Sequence, residues 1–285
     1  MAVINFPSSP SINDQYSANG IVYTWDGDAW TAATEYNLDL DIRYVETGGD
    51  TMTGNLTVPS LNGGPLAGFR NILINGNLTI NQRGIPIDAS SAIAIGDYGQ
   101  DRWKKTAGGM TQIVESGNFE PSATYTLSGT DVTEQQLTAP ATGDWTLPDI
   151  PLTARKIQLE PGPVATPFEQ RPIGLELSLC QRYYYNFAPG NDNTFGVGFN
   201  NSASSTDVPI KFPVTLRSVP TMTTATAVTW YQIIGIDCDN LPSQQKSGVD
   251  ISMVRFYVAS GLAQNDPSIV TSGNARSFLA FDAEL

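Results

Sequence analysis

The chain has no histidine and only two cysteines, Cys180 and Cys238, among 285 residues. Without histidine, Ser-His-Asp and Cys-His catalysis are removed. With so few thiols, a structural zinc site is short of ligands. Cys180 reads as a small buried apolar residue, and the sequence leaves open whether it is bonded to Cys238. Charge is also scarce: 15% of residues are charged, with 15 Lys+Arg against 28 Asp+Glu and a net charge of −13. No basic cluster exists to form a nucleic-acid footprint, and the acidity disfavours contact with anionic membranes. No apolar run reaches membrane-spanning length. The start, MAVINFPSSPS, lacks the basic region and apolar core of a secretory leader, so the expectation is synthesis in a cytoplasm and exit by another route. What is abundant is Gly (26) and Pro (19), joined by Ser, Thr and Asn. That mixture suits a β-rich chain with many turns.

The stretch from Lys156 to Phe187, KIQLEPGPVATPFEQRPIGLELSLCQRYYYNF, organises the rest. Ile157 and Leu159 alternate with Lys156, Gln158 and Glu160, the period of a half-buried strand. Pro161, Pro163, Pro167 and Pro172 forbid regular ladder pairing, so the chain runs extended along a surface. After Pro172 the spacing becomes helical. Leu175 and Leu179 share one face, flanked by Leu177, Cys180 and Tyr184. This segment therefore closes one domain, at 71–172, and opens another, at 173–285, through a short helix.

Two further regions precede these. In 1–34, Ile21–Trp25 and Ala29–Thr31 flank Asp26-Gly27-Asp28, a hairpin turn signal, with Trp25 and Trp30 close across it. The pair reads as a mini-core, or as a sugar-stacking platform. In 35–70, Leu38, Leu40, Ile42 and Tyr44 alternate with polar residues, and TGGDTMTGNLTVPSL follows. Gly48, Gly49 and Gly54 permit tight turns, and Met52 can fill a gap against a neighbouring chain. The 71–172 region opens with NILINGNLTINQRG, where Ile72, Ile74, Leu78 and Ile80 sit at strand spacing around an Asn75-Gly76-Asn77 bend. Arg83, Asp101, Arg102 and Trp103 read as a buried structural network or a ligand site. Beyond the helix, 195–199, 208–216, 227–236, 250–258 and 277–285 read as short strands of an antiparallel sandwich.

Several of these motifs resemble bacteriophage tail-fibre proteins. QLEPGPVATPFEQR is similar to the strand that closes a carbohydrate-binding-like jelly roll in that family, and ELSLCQRY to the helix after it. NILINGNLTINQRG with DRW resembles the start of the same jelly roll, and RYVETGGDTMTGNL resembles a TMTG shaft element that packs around a threefold axis. IKFPVTLRSVPT resembles a strand of fibre tips. FPSSPSINDQYSANGIVYTWDGDAW resembles short modules of cyanophage structural proteins. The chain between Trp103 and Ile157 is shorter than such a jelly roll usually has, so a trimmed sandwich is expected.

The expectation is thus a mainly β, homotrimeric fibre: a hairpin module, a connector, a trimmed jelly-roll sandwich, a short helix and a C-terminal antiparallel β-sandwich tip. The resemblance implies a virion protein attached to tail or baseplate proteins through its N-terminus. It would bind a host-surface polysaccharide or protein through the tip, with no nucleic-acid partner, no membrane insertion, no cofactor, no metal and no catalysis. Met52, Leu175 and Leu179 are the candidates for the trimer axis. Sugar binding needs exposed aromatics beside amides and carboxylates, and the tip offers Trp230, Tyr231, Asn200, Asn201, Asp237 and Asp239. Three alternatives stand beside this: a purely structural tail or neck fibre, a free-standing carbohydrate-binding module, and a polysaccharide-depolymerising tailspike. The last would need two carboxylates at glycosidase separation, for which Asp237–Asp239 and Asp282–Glu284 are the closest pairs.

Overall fold

The computed structural model describes residues 4–32, 68–87, 93–188, 190 and 193–285. The fold is mainly β, with one α-helix among the described residues. The chain divides into two compact units, Met1–Thr57 and Val58–Leu285. Met52 and the alternating pattern of 37–44 lie outside the described residues.

In the first unit, β1 (Gln15–Ala18), β2 (Ile21–Trp25) and β3 (Trp30–Ala32) form an antiparallel meander. The expected hairpin is β2–β3, with Trp25 opposite Trp30 and their rings 5.7 Å apart. Asp26 Oδ1 accepts the Asp28 and Ala29 amides across the turn, at 2.9 and 2.8 Å. Those bonds hold its carboxyl below the usual carboxylate range. Strand β1 was not read from the sequence; it joins β2 through Asn19-Gly20, both at positive φ, the turn chemistry of a tight hairpin. Phe6 stacks on Trp30 at 5.4 Å. No described residue of this unit is fully buried, as expected of so short a piece.

The second unit contains two cores. The first is built by β4 (Lys104–Lys105), β5 (Met110–Thr111), β6 (Ile113–Val114), β7 (Thr124–Thr130), β8 (Gln135–Thr138), β9 (Trp145–Thr146) and β10 (Arg155–Pro161). They pair as a three-stranded sheet, β10-β7-β8, and two short ladders, β4-β5 and β6-β9. Trp103, Met110, Leu127, Ile157 and Leu159 fill this core. The segment from Asn71 is not the regular strand its spacing suggests. It bends at Asn75 and Leu78, both at positive φ, and Leu73 rather than Ile72 is its innermost residue. It still lies along β10: the Ile72 amide donates to Leu159 O and the Ile157 amide to Gly76 O, at 2.9 and 2.8 Å. Gly76 is required there, because a methyl group would collide with the Ile157 carbonyl.

Strand β10 departs from the half-buried expectation. Its apolar side, Ile157 and Leu159, is buried, and so are Gln158 and Glu160. The proline-rich segment after it covers the polar side. Thr166 donates its amide and hydroxyl to Glu160, each at 2.7 Å, and the Glu169 amide donates to Gln158 Oε1 at 2.8 Å. Glu169 in turn accepts the Phe69 and Asn71 amides, and Arg70 pairs with Glu160.

Helix α1 (Ile173–Gln181) turns Glu176 and Cys180 inward. Glu176 accepts the Asn75 amide and pairs with Arg171 at 3.4 Å. Cys180 packs with Ile74, Ile80 and Tyr183, and Leu177 and Leu179 lean on that cluster; Leu175 is half-buried. The helix is thus a joint between the two cores.

The second core belongs to β11 (Tyr184–Phe187), β12 (Thr194–Ser202), β13 (Ser205–Lys211), β14 (Thr221–Thr224), β15 (Tyr231–Ile233), β16 (Ile236–Asp237), β17 (Asn240–Ser247), β18 (Ile251–Tyr257), β19 (Pro267–Ser272) and β20 (Leu279–Asp282). All pairings are antiparallel: a curled seven-stranded sheet, β16-β15-β19-β12-β13-β18-β17, faces a three-stranded one, β11-β20-β14, across Phe195, Val208, Phe256 and Phe281. Gly198 lets β12 cross β13 closely, since a methyl would strike Asp207 O. Both cysteines are buried and free. Cys238 sits in this core and Cys180 in the joint, and burial raises both thiols, Cys238 to about 12.

Candidate recognition surface

Of the two readings of Arg83, Asp101, Arg102 and Trp103, the structure shows the buried network. The Trp103 indole donates to Asn75 O at 2.9 Å. Asp101 accepts the Gln82 amide and side chain at 2.9 and 2.6 Å, and burial raises its carboxyl above the usual value. Arg83 stacks 3.7 Å over Tyr184 and pairs with Asp282 at 3.0 Å. Arg102 stacks 3.6 Å over Tyr183 and pairs with Glu284. Asp282 and Glu284 are therefore ion-paired rather than presented as a catalytic couple. Nearby, Glu115 accepts Arg182 and the Tyr183 hydroxyl at 2.9 and 2.7 Å. Burial works to raise Glu115, but these bonds outweigh it and hold the carboxyl below its ordinary value. The two cores are riveted through these pairs.

Of the six tip candidates, two are withdrawn from the surface. Tyr231 is fully buried; its hydroxyl donates to Phe278 O at 2.6 Å and accepts the Ala225 amide at 3.0 Å. Asn200 is buried, with its amide donating to Ala263 O at 2.8 Å and its oxygen accepting Thr206. Both sit on the inner face because strand alternation, not chemistry, decides where a strand residue points. Trp230 is half-buried at the end of a 3-10 turn, Val228–Trp230, and packs on the C-terminal core.

The other three are exposed. Asp237 accepts Gln232 at 2.7 Å, and Asp239 accepts Asn240 at 3.2 Å. Asn201 lies at the β12–β13 turn, donating weakly to Asp207 at 3.5 Å. The registers tie that turn to the far edge strand: Ser202 faces Ser205, Ser205 faces Tyr257, and Tyr257 faces Asn240. One end of the curled sheet thus gathers Asn201, Asp239, Asn240 and Tyr257. A solvent-open cleft there is lined by Val228, Asn240, Leu241, Ser243 and Tyr257. The Tyr257 hydroxyl hydrogen-bonds Ser243 Oγ at 2.6 Å. A half-exposed phenol beside an amide and a carboxylate can stack on and hydrogen-bond a hydroxylated ligand.

Tyr257 was not singled out from the sequence. The available signal was the alternation from Ile251 to Tyr257, which puts Tyr257 on the side opposite Phe256. Among the described residues, no group of three or more acidic or thiol side chains could hold a metal ion, and no helix is long and apolar enough to cross a membrane. Comparisons with protein-family models, curated proteins and solved structures find no match to this chain.

Proposed function

We propose that the chain is a host-recognition fibre of a tailed bacteriophage, a homotrimer that meets the tail or baseplate through its N-terminal module. Its C-terminal tip reads a cell-surface glycan or protein at the cleft of Tyr257, Asn240 and Ser243, beside Asp239, whose amide donates to Tyr257 O. The observation that carries the reading is the role of the fibre-like motif residues. Asn71, Asn75, Gln158, Glu160, Thr166, Glu169 and Arg171, all quoted in the sequence resemblance, meet in one largely buried network, which Asn75 joins through Glu176. Motif residues that are consumed in holding the fold are of the kind that recur in proteins of one architecture.

The test is glycan-array binding by the purified protein, with Tyr257→Ala and Asp239→Ala alongside. The expected result is a signal for one glycan class that both substitutions reduce at least tenfold while circular dichroism is unchanged. No binding, together with no inhibition of phage adsorption, turns the reading to a purely structural fibre. Release of reducing sugar from envelope polysaccharide turns it to a depolymerase. Deleting 186–285 is a poor test, because Arg83 and Arg102 would lose Asp282 and Glu284.

A further inference from the structure

Both Asn240 and Leu241 line the Tyr257 cleft, although neighbouring strand residues normally point to opposite faces. The register shift between Asn240 and Ser243 on β17 makes this possible. Leu241, 39% exposed, and Val228 from the 3-10 turn thereby form an apolar wall beside Asn240, Ser243 and Tyr257. The polar side offers both senses of hydrogen bond. Gln245 Nε2 donates to Ser243 Oγ at 2.6 Å, and Ser243 Oγ shares a hydrogen bond of 2.6 Å with the Tyr257 hydroxyl. Whichever hydroxyl donates, the pair keeps one O–H and free lone pairs for a ligand. Asn240 Nδ2 donates to Asp239 at 3.2 Å, and its side-chain oxygen accepts no bond from the described residues. The cleft offers about 630 Å³, the size of a small-molecule site rather than of a protein footprint.

We infer that the ligand of this cleft is a neutral sugar bearing a methyl group, as N-acetylated and methyl-terminated deoxy sugars do. The assignment rests on the recognition reading above and names the ligand class of the same site. None of the five lining residues carries a charge at neutral pH. Arg255, opposite Ser243, is closed by Asp207 in two bonds of 2.6 and 2.7 Å, and Lys246 lies farther along β17, opposite Met253. Asp239 is exposed beside the cleft and the chain carries −13, so an acidic glycan is repelled without a cation to receive it. An ammonium group would be desolvated against Val228 and Leu241. A fully hydroxylated sugar would set its polar edge against the same wall. A methyl group fills that wall favourably, while the sugar ring lies on Tyr257 and its hydroxyls meet Ser243 and Asn240.

The test is saturation-transfer NMR on the full-length protein with N-acetylglucosamine, N-acetylgalactosamine, fucose and rhamnose. Each is set beside its parent hexose, and glucosamine and glucuronic acid complete the panel. At least one methyl-bearing sugar should bind roughly fourfold tighter than its parent, the worth of one buried methyl. Saturation should be strongest at its methyl protons, a result that needs no variant. Leu241→Asn should erase the preference, and Tyr257→Ala should remove binding, with circular dichroism retained in both. Tighter binding of glucosamine or glucuronic acid, or equal binding of the parent hexoses, overturns the assignment and leaves the recognition role of the tip standing. The same follows if the protein binds none of the panel yet blocks phage adsorption, which makes the receptor a protein. A protein that neither binds a sugar nor blocks adsorption overturns the recognition reading as well.

Discussion

Gln158 and Glu160 are polar and buried, whereas Phe199 and Ile269 are apolar and exposed. The two regions break the inside-outside rule in opposite directions, and the reason differs. On β10 the chain covers its own polar face: the segment after Pro161 folds back and supplies Thr166 and Glu169 as partners. A buried carboxylate is tolerable when its oxygens are fully bonded. On β12 and β19 no described residue of the chain covers the apolar face. Alternation therefore tells which residues share a face; it does not tell which face is dry.

The largest effect should come from removing a partner from the closed network. Glu160→Ala leaves Arg70, Thr166 and Gln158 facing a void, and should cost about 3–5 kcal/mol by denaturant unfolding. A loss below about 1 kcal/mol would mean that water, not Glu160, satisfies them. Gly76→Ala forces the Asn71 segment away from Ile157 and should cost about 1–3 kcal/mol, read as a lower unfolding midpoint.

A smaller, pH-dependent effect is expected at the joint between the cores. Glu115 is depressed in the folded state, so its stabilisation is present above its ordinary pKa of 4.5 and is lost as pH falls through the folded value. Glu115→Gln should lose about 1 kcal/mol at neutral pH, discounted for the exposure of Arg182. The gap between variant and wild type should then narrow in acid. A gap independent of pH would remove Glu115 from that role. The smallest effect belongs to the open face. In protein dilute enough that unfolding is independent of concentration, Phe199→Ser should change stability by no more than about 0.5 kcal/mol. A larger loss would place Phe199 in the chain's own core and erase the contrast with β10.

Part of the strand layout was legible. The β2–β3 hairpin, β10, the helix, and the strands holding Phe195, Val208, Val254 and Phe281 fall where turn signals and apolar spacing place them, whereas the strand expected at 227–236 is a 3-10 turn followed by the short β15 and β16. Seven strands of the second unit, β4–β9 and β11, went unread, as did β1, β14, β17 and β19. The sequences of the last four, QYSA, TMTT, NLPSQQKS and PSIVTS, are short and rich in Ser, Thr, Gln or Pro, and neighbours rather than propensity hold them in the sheet. At the candidate surface, Asp237, Asp239 and Asn201 could be found as exposed polar residues near turns. Tyr231 and Asn200 could not be excluded, because a one-residue step along a strand reverses the face.

The sequence by itself determined the β-rich class, the absence of histidine chemistry, the helix after Pro172 and the tight turns at Asp26-Gly27 and Gly76. These are local properties, fixed by side-chain inventory, ring constraint and the freedom of glycine at φ. Only the tertiary structure decided that Gln158 and Glu160 would be dry, that Arg83 and Arg102 would bind Asp282 and Glu284 about 200 and 180 residues away, and that Phe199 would face outward while Asn200 faced in. Those outcomes depend on which distant segment reaches a face first, and burial is a property of that encounter rather than of the residue.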